Sequence, residues 1–323
     1  YVLDGAVNTV AFSPDGKLLI GTDKKYIAYI FDLATQRRLR KIALQSCAKL
    51  GNGWPMALQV LPSGKQFLTT HCGGVGLYDV DTNTAPWELG ESSGTFYSAL
   101  SADGARLYLA LRNGDDQDVA IIQTATGKVE RRVKSPFNLV GPIAVSKDGK
   151  YLAIGSSFTG TIGVLDANTL ATIRIDHEHS HAITGLSFTA TGYLVSSSMD
   201  GSIRMRKAAD GRTIATMFGV GRDDFITVLP AGPYTSSRGG TSAAAFRSGN
   251  SALPAEALDA RFNRPDEVAT TIGLAQPALI DKLRRARERR LRALGLDVVD
   301  GRTNFVLAHL PADGPTAAAL NSA

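Results

Sequence analysis

Val10-Ala11-Phe12-Ser13-Pro14-Asp15-Gly16-Lys17-Leu18-Leu19-Ile20 joins two apolar stretches through a Pro-Asp-Gly turn. Apolar residues at period two suit strands, and the glycine accepts the positive φ that a tight hairpin demands. The phrase returns as Ala99-Leu100-Ser101-Ala102-Asp103-Gly104-Ala105-Arg106-Leu107-Tyr108-Leu109. It returns again as Ile143-Ala144-Val145-Ser146-Lys147-Asp148-Gly149-Lys150-Tyr151-Leu152-Ala153. Looser copies turn on Pro62-Ser63-Gly64-Lys65 and on Thr189-Ala190-Thr191-Gly192-Tyr193. The turn glycines Gly16, Gly64, Gly104, Gly149 and Gly192 are spaced by 48, 40, 45 and 43 residues.

A third strand in each copy ends at a comparable place: Phe31-Asp32, Tyr78-Asp79, Ile122-Gln123, Leu165-Asp166 and Arg206-Lys207. Polar turns such as Ala34-Thr35-Gln36 and Ala125-Thr126-Gly127 follow, and then a fourth strand, as in Arg212-Thr213-Ile214-Ala215-Thr216. A repeat of about 40–45 residues with four strands is the period of a propeller blade. The expected fold is therefore all-β, a propeller of six or seven blades of four antiparallel strands with a short helical C-terminal extension. Residues 1–235 form the propeller, and 236–323 a linker and helical extension. A sixth turn falls at Val228-Leu229-Pro230-Ala231-Gly232-Pro233-Tyr234. The chain begins at Tyr1 inside a repeat and reads as part of a longer product.

Phe12-Ser13-Pro14-Asp15-Gly16-Lys17 resembles a phrase common in WD repeats. The fifth copy is similar in its signature positions. His179 stands four residues before Ile183, like the family's histidine, and Ser198-Met199-Asp200-Gly201-Ser202-Ile203 resembles the segment holding its structural aspartate. The resemblance implies a buried hydrogen-bond network of His179, Ser198 and Asp200. Arg206 occupies the position of the family's tryptophan, which leaves that network incomplete, and no copy has a literal Trp-Asp. It also implies a scaffold that binds protein partners.

Beyond about Gly221 the pattern changes. Residues 230–250 are rich in Gly, Ser, Thr and Pro and read as a loop. Pro254 to Phe262 reads as a short helix, and Arg264-Pro265-Asp266-Glu267 opens another that Gly273 ends. Gln276 to Leu294 reads as an amphipathic helix with Leu279, Ile280, Leu283, Ala286, Leu291 and Leu294 near one face. Asn304-Phe305-Val306-Leu307-Ala308 reads as a strand.

Two phrases here carry a second resemblance. Asp224-Phe225-Ile226-Thr227-Val228-Leu229-Pro230-Ala231-Gly232-Pro233-Tyr234-Thr235-Ser236-Ser237 and Arg261-Phe262-Asn263-Arg264-Pro265-Asp266-Glu267-Val268 resemble a link between WD repeats and caspase-like peptidases in bacterial proteins. The resemblance implies the non-catalytic, regulatory part of a larger protein, with a caspase-like domain of the same polypeptide as one partner. It transfers no catalytic cysteine, because neither Cys47 nor Cys72 sits in a matching motif.

Composition narrows the classes. Hydrophobic residues make up 44% and charged residues 20%, a globular and not a disordered balance. No stretch reaches the ~20 consecutive apolar residues of a membrane-spanning helix. Two cysteines in no CxxC pair argue against a zinc or disulfide framework. Net charge is +5, and Gln276–Leu294 alone holds seven basic residues against two acids.

No Gly-x-Ser-x-Gly elbow and no phosphate loop is present, so no catalytic residue and no cofactor is expected. His177, His179 and His181 alternate as they would on one side of an extended strand, which fits zinc or a ligand at a propeller mouth. The plainer reading keeps His179 structural and the others solvated. Asp115, Asp116 and Asp118 read as a polar loop insertion in the third blade, with calcium binding as the lesser option. Arg284, Arg285 and Arg289 on the basic helix 276–294 fit an acidic partner or nucleic acid. The plainer reading there is a solvated helix supported by Glu288 and Arg292 at i, i+4.

Overall fold

The computed structural model describes residues 5–44, 57–71, 74–90, 95–113, 116–138, 140–248, 251–254, 259–274, 276–293, 297–299 and 307–309. Cys47, Cys72 and Asp115 lie outside them, as do residues 310–323. The residues group into two compact units, Tyr1–Asp200 and Gly201–Ala323.

The first unit is a succession of antiparallel sheets of four strands, each in sequence order. The first holds β1 (Val7–Phe12), β2 (Leu18–Asp23), β3 (Ile27–Asp32) and β4 (Arg38–Ala43). The second holds β5 (Ala57–Val60), β6 (Gln66–His71), β7 (Gly74–Asp79) and β8 (Trp87–Gly90). The third holds β9 (Thr95–Leu100), β10 (Arg106–Asn113), β11 (Asp116–Gln123) and β12 (Val129–Lys134). The fourth holds β13 (Val140–Val145), β14 (Tyr151–Ser156), β15 (Ile162–Asp166) and β16 (Thr172–Asp176). The hairpin of β17 (Ile183–Phe188) and β18 (Tyr193–Ser198) follows. The first strand of each sheet lies against that of the next, β1 on β5, β5 on β9, β9 on β13 and β13 on β17.

Face-to-face packing between successive sheets makes the core. Ile20, Ile30 and Ile42 meet Leu58 and Phe67 between the first two sheets. Leu68 and Leu77 meet Leu107 and Leu109 between the next two, and Tyr108 and Ile121 meet Leu152 and Ile154 beyond. Each such side chain, when fully buried, stabilises the fold by roughly 1.5–3 kcal/mol.

The turns show why the phrase repeats. Ser13 Oγ donates to the Asp15 carboxylate at 2.6 Å, and Asp15 accepts the Lys17 N–H. Ser13 Oγ also accepts the Leu18 N–H at 2.9 Å, which fixes the start of β2. Ser101 with Asp103 and Ser146 with Asp148 repeat the arrangement. The serine hydrogen bond is the main reason that Asp15, Asp103 and Asp148 stay below the ordinary carboxylate value of 3.8. A carboxylate depressed in the folded state adds stability above its unfolded pKa and loses it as pH falls through the folded value. The urea midpoint is therefore expected to be flat above about pH 5 and to fall in stronger acid. A combined Ser13→Ala, Ser101→Ala, Ser146→Ala chain should lose part of that acid limb, and an unchanged limb would count against the turn assignment.

The turn glycines differ in their surroundings. Gly16 has φ +68° and open space where a Cβ would stand, while Gly104 has φ +75° and a Cβ there would approach Pro62 at 2.5 Å. The left-handed backbone alone costs a non-glycine residue about 1–2 kcal/mol. Gly104→Ala should thus lower the urea midpoint more than Gly16→Ala; equal losses would contradict the packing on Pro62.

The second unit opens with a meander of β19 (Ser202–Lys207), β20 (Thr213–Val220), β21 (Asp224–Val228) and β22 (Tyr234–Ser236). The sixth turn does not begin a separate sheet. Gly232, at φ +104°, joins β21 to β22 as a hairpin on β20. The compositional break at residue 235 falls inside β22. The stretch read as a loop also carries β23 (Ala245–Ser248), which pairs with β24 (Ser251–Pro254). Pro254 accordingly ends a strand, and the helix expected from it is the short α1 (Asp259–Phe262). α2 (Pro265–Thr271) begins at the expected proline, and Gly273 follows it at φ +86°. α3 (Pro277–Ala293) is the basic helix, and β25 (Asp297–Val299) pairs with β26 (Leu307–His309).

Candidate functional site

The histidine segment joins β16 to β17, and the structure gives its three histidines different surroundings. His179 is buried, its side chain fully so. Its Nδ1 lies 2.9 Å from Asp200 Oδ2 and its Nε2 lies 2.8 Å from Ser196 Oγ. A carboxylate only accepts, so the neutral ring carries its proton on Nδ1 and accepts from Ser196 through Nε2. The Ser180 N–H also donates to Asp200 Oδ2, at 3.1 Å. His177 is exposed, with Nδ1 3.2 Å from Thr161 Oγ1, and His181 is exposed beside Ser180 Oγ at 3.0 Å.

Ser198 is placed otherwise than the resemblance implied. The hydroxyl that reaches His179 is that of Ser196, two residues earlier on the same face of β18. Ser198 Oγ donates to the His181 carbonyl at 2.9 Å and accepts the Asp200 N–H at 3.1 Å, so it shapes the turn that presents Asp200. Gly160 closes the other side, where a Cβ would overlap the His179 carbonyl. Arg206, at the tryptophan position, is 1% exposed.

The arrangement limits the chemistry. Both nitrogens of His179 are occupied, so it has no lone pair to give a metal while the network stands. Among the described residues, no group of three His, Cys, Asp or Glu is placed to hold a metal ion. Asp200, His179 and Ser196 do line up as a carboxylate, imidazole and hydroxyl, the order of a nucleophilic relay. Ser196, however, is 2% exposed, so a substrate carbonyl has no approach to its Oγ in this arrangement. The network holds the β16–β17 connection onto β18.

In the second unit the two link-like phrases meet. Tyr234 is completely buried, its carbonyl accepts the Arg264 N–H at 2.8 Å, and Gly232 packs on the Phe262 ring. The Tyr234 hydroxyl donates to Asp259 Oδ1, which also accepts from Asn263 Nδ2 at 2.8 Å, and Arg290 pairs with Asp259 Oδ2. The sequence reading did not single out Asp259 or Tyr234 as one cluster. A cleft of about 150 Å³ beside it is lined by Asp259, Asn263, Leu283, Arg287 and Arg290, among others.

The basic helix divides into faces. Arg284 pairs with Asp281 at 3.7 Å, while Arg285 and Arg289 are exposed. Leu279 and Ala286, expected on the apolar face, are exposed, and Arg287 and Leu291 are buried. Burial, and then the charge of Arg264, lowers the pKa of Arg287. Leu294 lies outside the described residues.

No helix among the described residues is long and apolar enough to cross a membrane. None of the curated proteins matches the chain. Residues 1–27 and 170–206 match the WD40 family, described as WD domain, G-beta repeat. The second stretch contains His179, Ser196 and Asp200, the residues of the buried network. With its sheets of four antiparallel strands and these WD40 matches, the chain carries a WD-repeat type of β-propeller fold with a short helical C-terminal extension.

Proposed function

We propose that this chain is a non-catalytic protein-interaction scaffold, the regulatory WD-repeat part of a larger bacterial caspase-like protein. The observation that carries the scaffold reading is the WD40 match on antiparallel four-stranded sheets. Such a frame presents loops and sheet edges on a rigid core, and partner choice resides in those surfaces. The buried network supports the non-catalytic half, since Ser196, His179 and Asp200 spend their hydrogen bonds on one another. The caspase-like half rests on the two link-like phrases, which fold onto each other through Tyr234, Asn263 and Arg264.

The sequence and intact mass of the native gene product test the larger-protein reading. A domain with a Cys–His pair after Ala323 supports it. A native chain ending near Ala323 removes it and leaves a free-standing scaffold. A ligand-binding or enzymatic propeller using the His177–His181 region is the alternative. Zinc added to the purified chain should leave the melting temperature unchanged; a rise that His177→Ala and His181→Ala abolish would favour that alternative. Nucleic-acid association through the basic helix 276–294 has one supporting observation, the exposure of Arg285 and Arg289. A salt-dependent oligonucleotide shift that is lost on their substitution would favour it.

A further inference from the structure

β4 carries Arg38, Arg40 and Lys41, with Arg37 just before it, and the run Gln36-Arg37-Arg38-Leu39-Arg40-Lys41 has no acid. The strand is the last in its sheet, so one edge pairs with β3 and the other pairs with no strand among the described residues. The Leu44 N–H donates inward to the Tyr26 carbonyl at 2.8 Å. By the alternation of an antiparallel ladder, Lys41 and Ala43 turn their N–H and C=O groups outward.

The described acids of this sheet each have hydrogen-bond partners of their own. Asp15 holds the β1–β2 turn and Asp32 caps Thr35. Asp23 is buried and accepts from the Lys25 and Ile27 N–H groups and the Tyr29 hydroxyl. That last bond, at 2.8 Å, fixes the fully buried Tyr29 ring. The Arg38 guanidinium and the Lys41 ammonium lie over that ring at 5.9 and 5.8 Å. Tyr29 thus holds two cations in place on one face of the strand, and Arg40 points to the other.

The outer strands of the third and fourth sheets are built differently. Arg132 of β12 is paired with Asp118 at 2.6 Å, Glu130 with Arg106 at 3.0 Å, and Arg174 of β16 with Asp176 at 3.0 Å. Those three side chains have opposite-charge partners within their own sheets. Arg37 and Arg40 make no ion pair among the described residues. The exposed Lys24 and Lys25 extend the positive strip past the far end of β4.

We propose that the outward edge of β4 is a docking surface for an extended acidic peptide segment of a protein partner. The segment adds as a strand: its backbone bonds to the outward groups of β4, and its Asp or Glu side chains meet Arg38 and Lys41 on one face and Arg40 on the other. Strand addition of this kind takes affinity from the backbone and specificity from alternate side chains. Cations already held over an aromatic ring lose little freedom on binding. A strand edge with cations on both faces fits an extended peptide better than the grooves of a duplex. The proposal rests on the scaffold reading and names the chemistry of one partner.

The test is fluorescence anisotropy on the purified chain with a labelled peptide of about twelve residues repeating Glu-Glu-Val-Val, which puts Glu on both faces and is long enough to span the strand at ~3.3 Å per residue. Saturable binding is expected, weakening with added salt and falling about tenfold or more for Arg38→Gln with Lys41→Gln. N-methylation of alternate peptide bonds on one edge should abolish it. The variant should melt within about 2 °C of the parent, because exposed substitutions change stability little. No saturable binding, or equal binding by the variant, overturns the proposal. So does tighter binding of a single-stranded oligonucleotide of equal charge, which would make the strip a general polyanion surface. Failure here removes the β4 assignment alone, because partner contacts elsewhere on the blades are measured separately.

Discussion

His179→Ala should destabilise the protein by about 3 kcal/mol, because it leaves buried partners without their hydrogen bonds. For a unit of this size that is a fall in melting temperature of roughly 6–12 °C. The reasoning starts from burial: the His179 side chain is fully enclosed, Asp200 is 10% exposed on its side chain, and Ser196 is 2% exposed. Removing the imidazole takes one donor from Asp200, which keeps the Ser180 N–H, and takes the ring acceptor from the Ser196 hydroxyl. His181→Ala changes an exposed ring beside Ser180 and should stay within about 0.5 kcal/mol of the parent. Ser196→Ala should cost about 1–2 kcal/mol, since one neutral hydrogen bond is lost. The same set addresses the relay-like alignment. A fluorophosphonate probe should leave Ser196 unlabelled in the folded chain, and stoichiometric labelling would mean that the site opens. If His179→Ala and His181→Ala lose equal stability, the network is not what holds the β16–β17 connection.

Tyr234→Ala should cost more, about 3–5 kcal/mol, as expected for truncating a buried aromatic. It also removes the hydroxyl donor to Asp259, which Asn263 and Arg290 share. The structural consequence is local to the second unit. α1 and α2 are short, and Tyr234 with Phe262 and Ile226 forms the small core beneath them. Hydrogen exchange should show the amides of residues 259–271 exchanging many times faster in Tyr234→Ala, with β9–β15 unaffected. Tyr234→Phe keeps the ring and should cost only about 1–2 kcal/mol. Unchanged protection in Tyr234→Ala would mean that the two link-like phrases are not one folded unit.

The repeats were legible because their signals are local. Asp-Gly turns and period-two strands need only neighbouring residues, so β1–β2, β9–β10 and β13–β14 stand where the phrases put them. The network was legible in His179 and Asp200 but not in Ser196. Residues 196 and 198 share a face of β18, and which one is level with the imidazole depends on the path of residues 177–182. Arg287 shows a different limit. Its spacing, four residues from both Leu283 and Leu291, puts it on the apolar face of α3, but its charge marked it as surface, and the structure buries it near Asp266 and Glu267 of α2. The β23–β24 hairpin was hidden by its Gly- and Ser-rich surroundings. The charge of β4 was not singled out as a run, and its place on an outer edge follows from strand order, which no local pattern states.

Cross-linking mass spectrometry of the native gene product in its complexes tests the scaffold account most directly. The prediction is that partner cross-links concentrate on exposed lysines of the blades, with Lys24, Lys25 and Lys41 beside β4 among them. A product that carries no partner cross-link anywhere within residues 5–254, while turning over a small molecule in the same preparation, would contradict it.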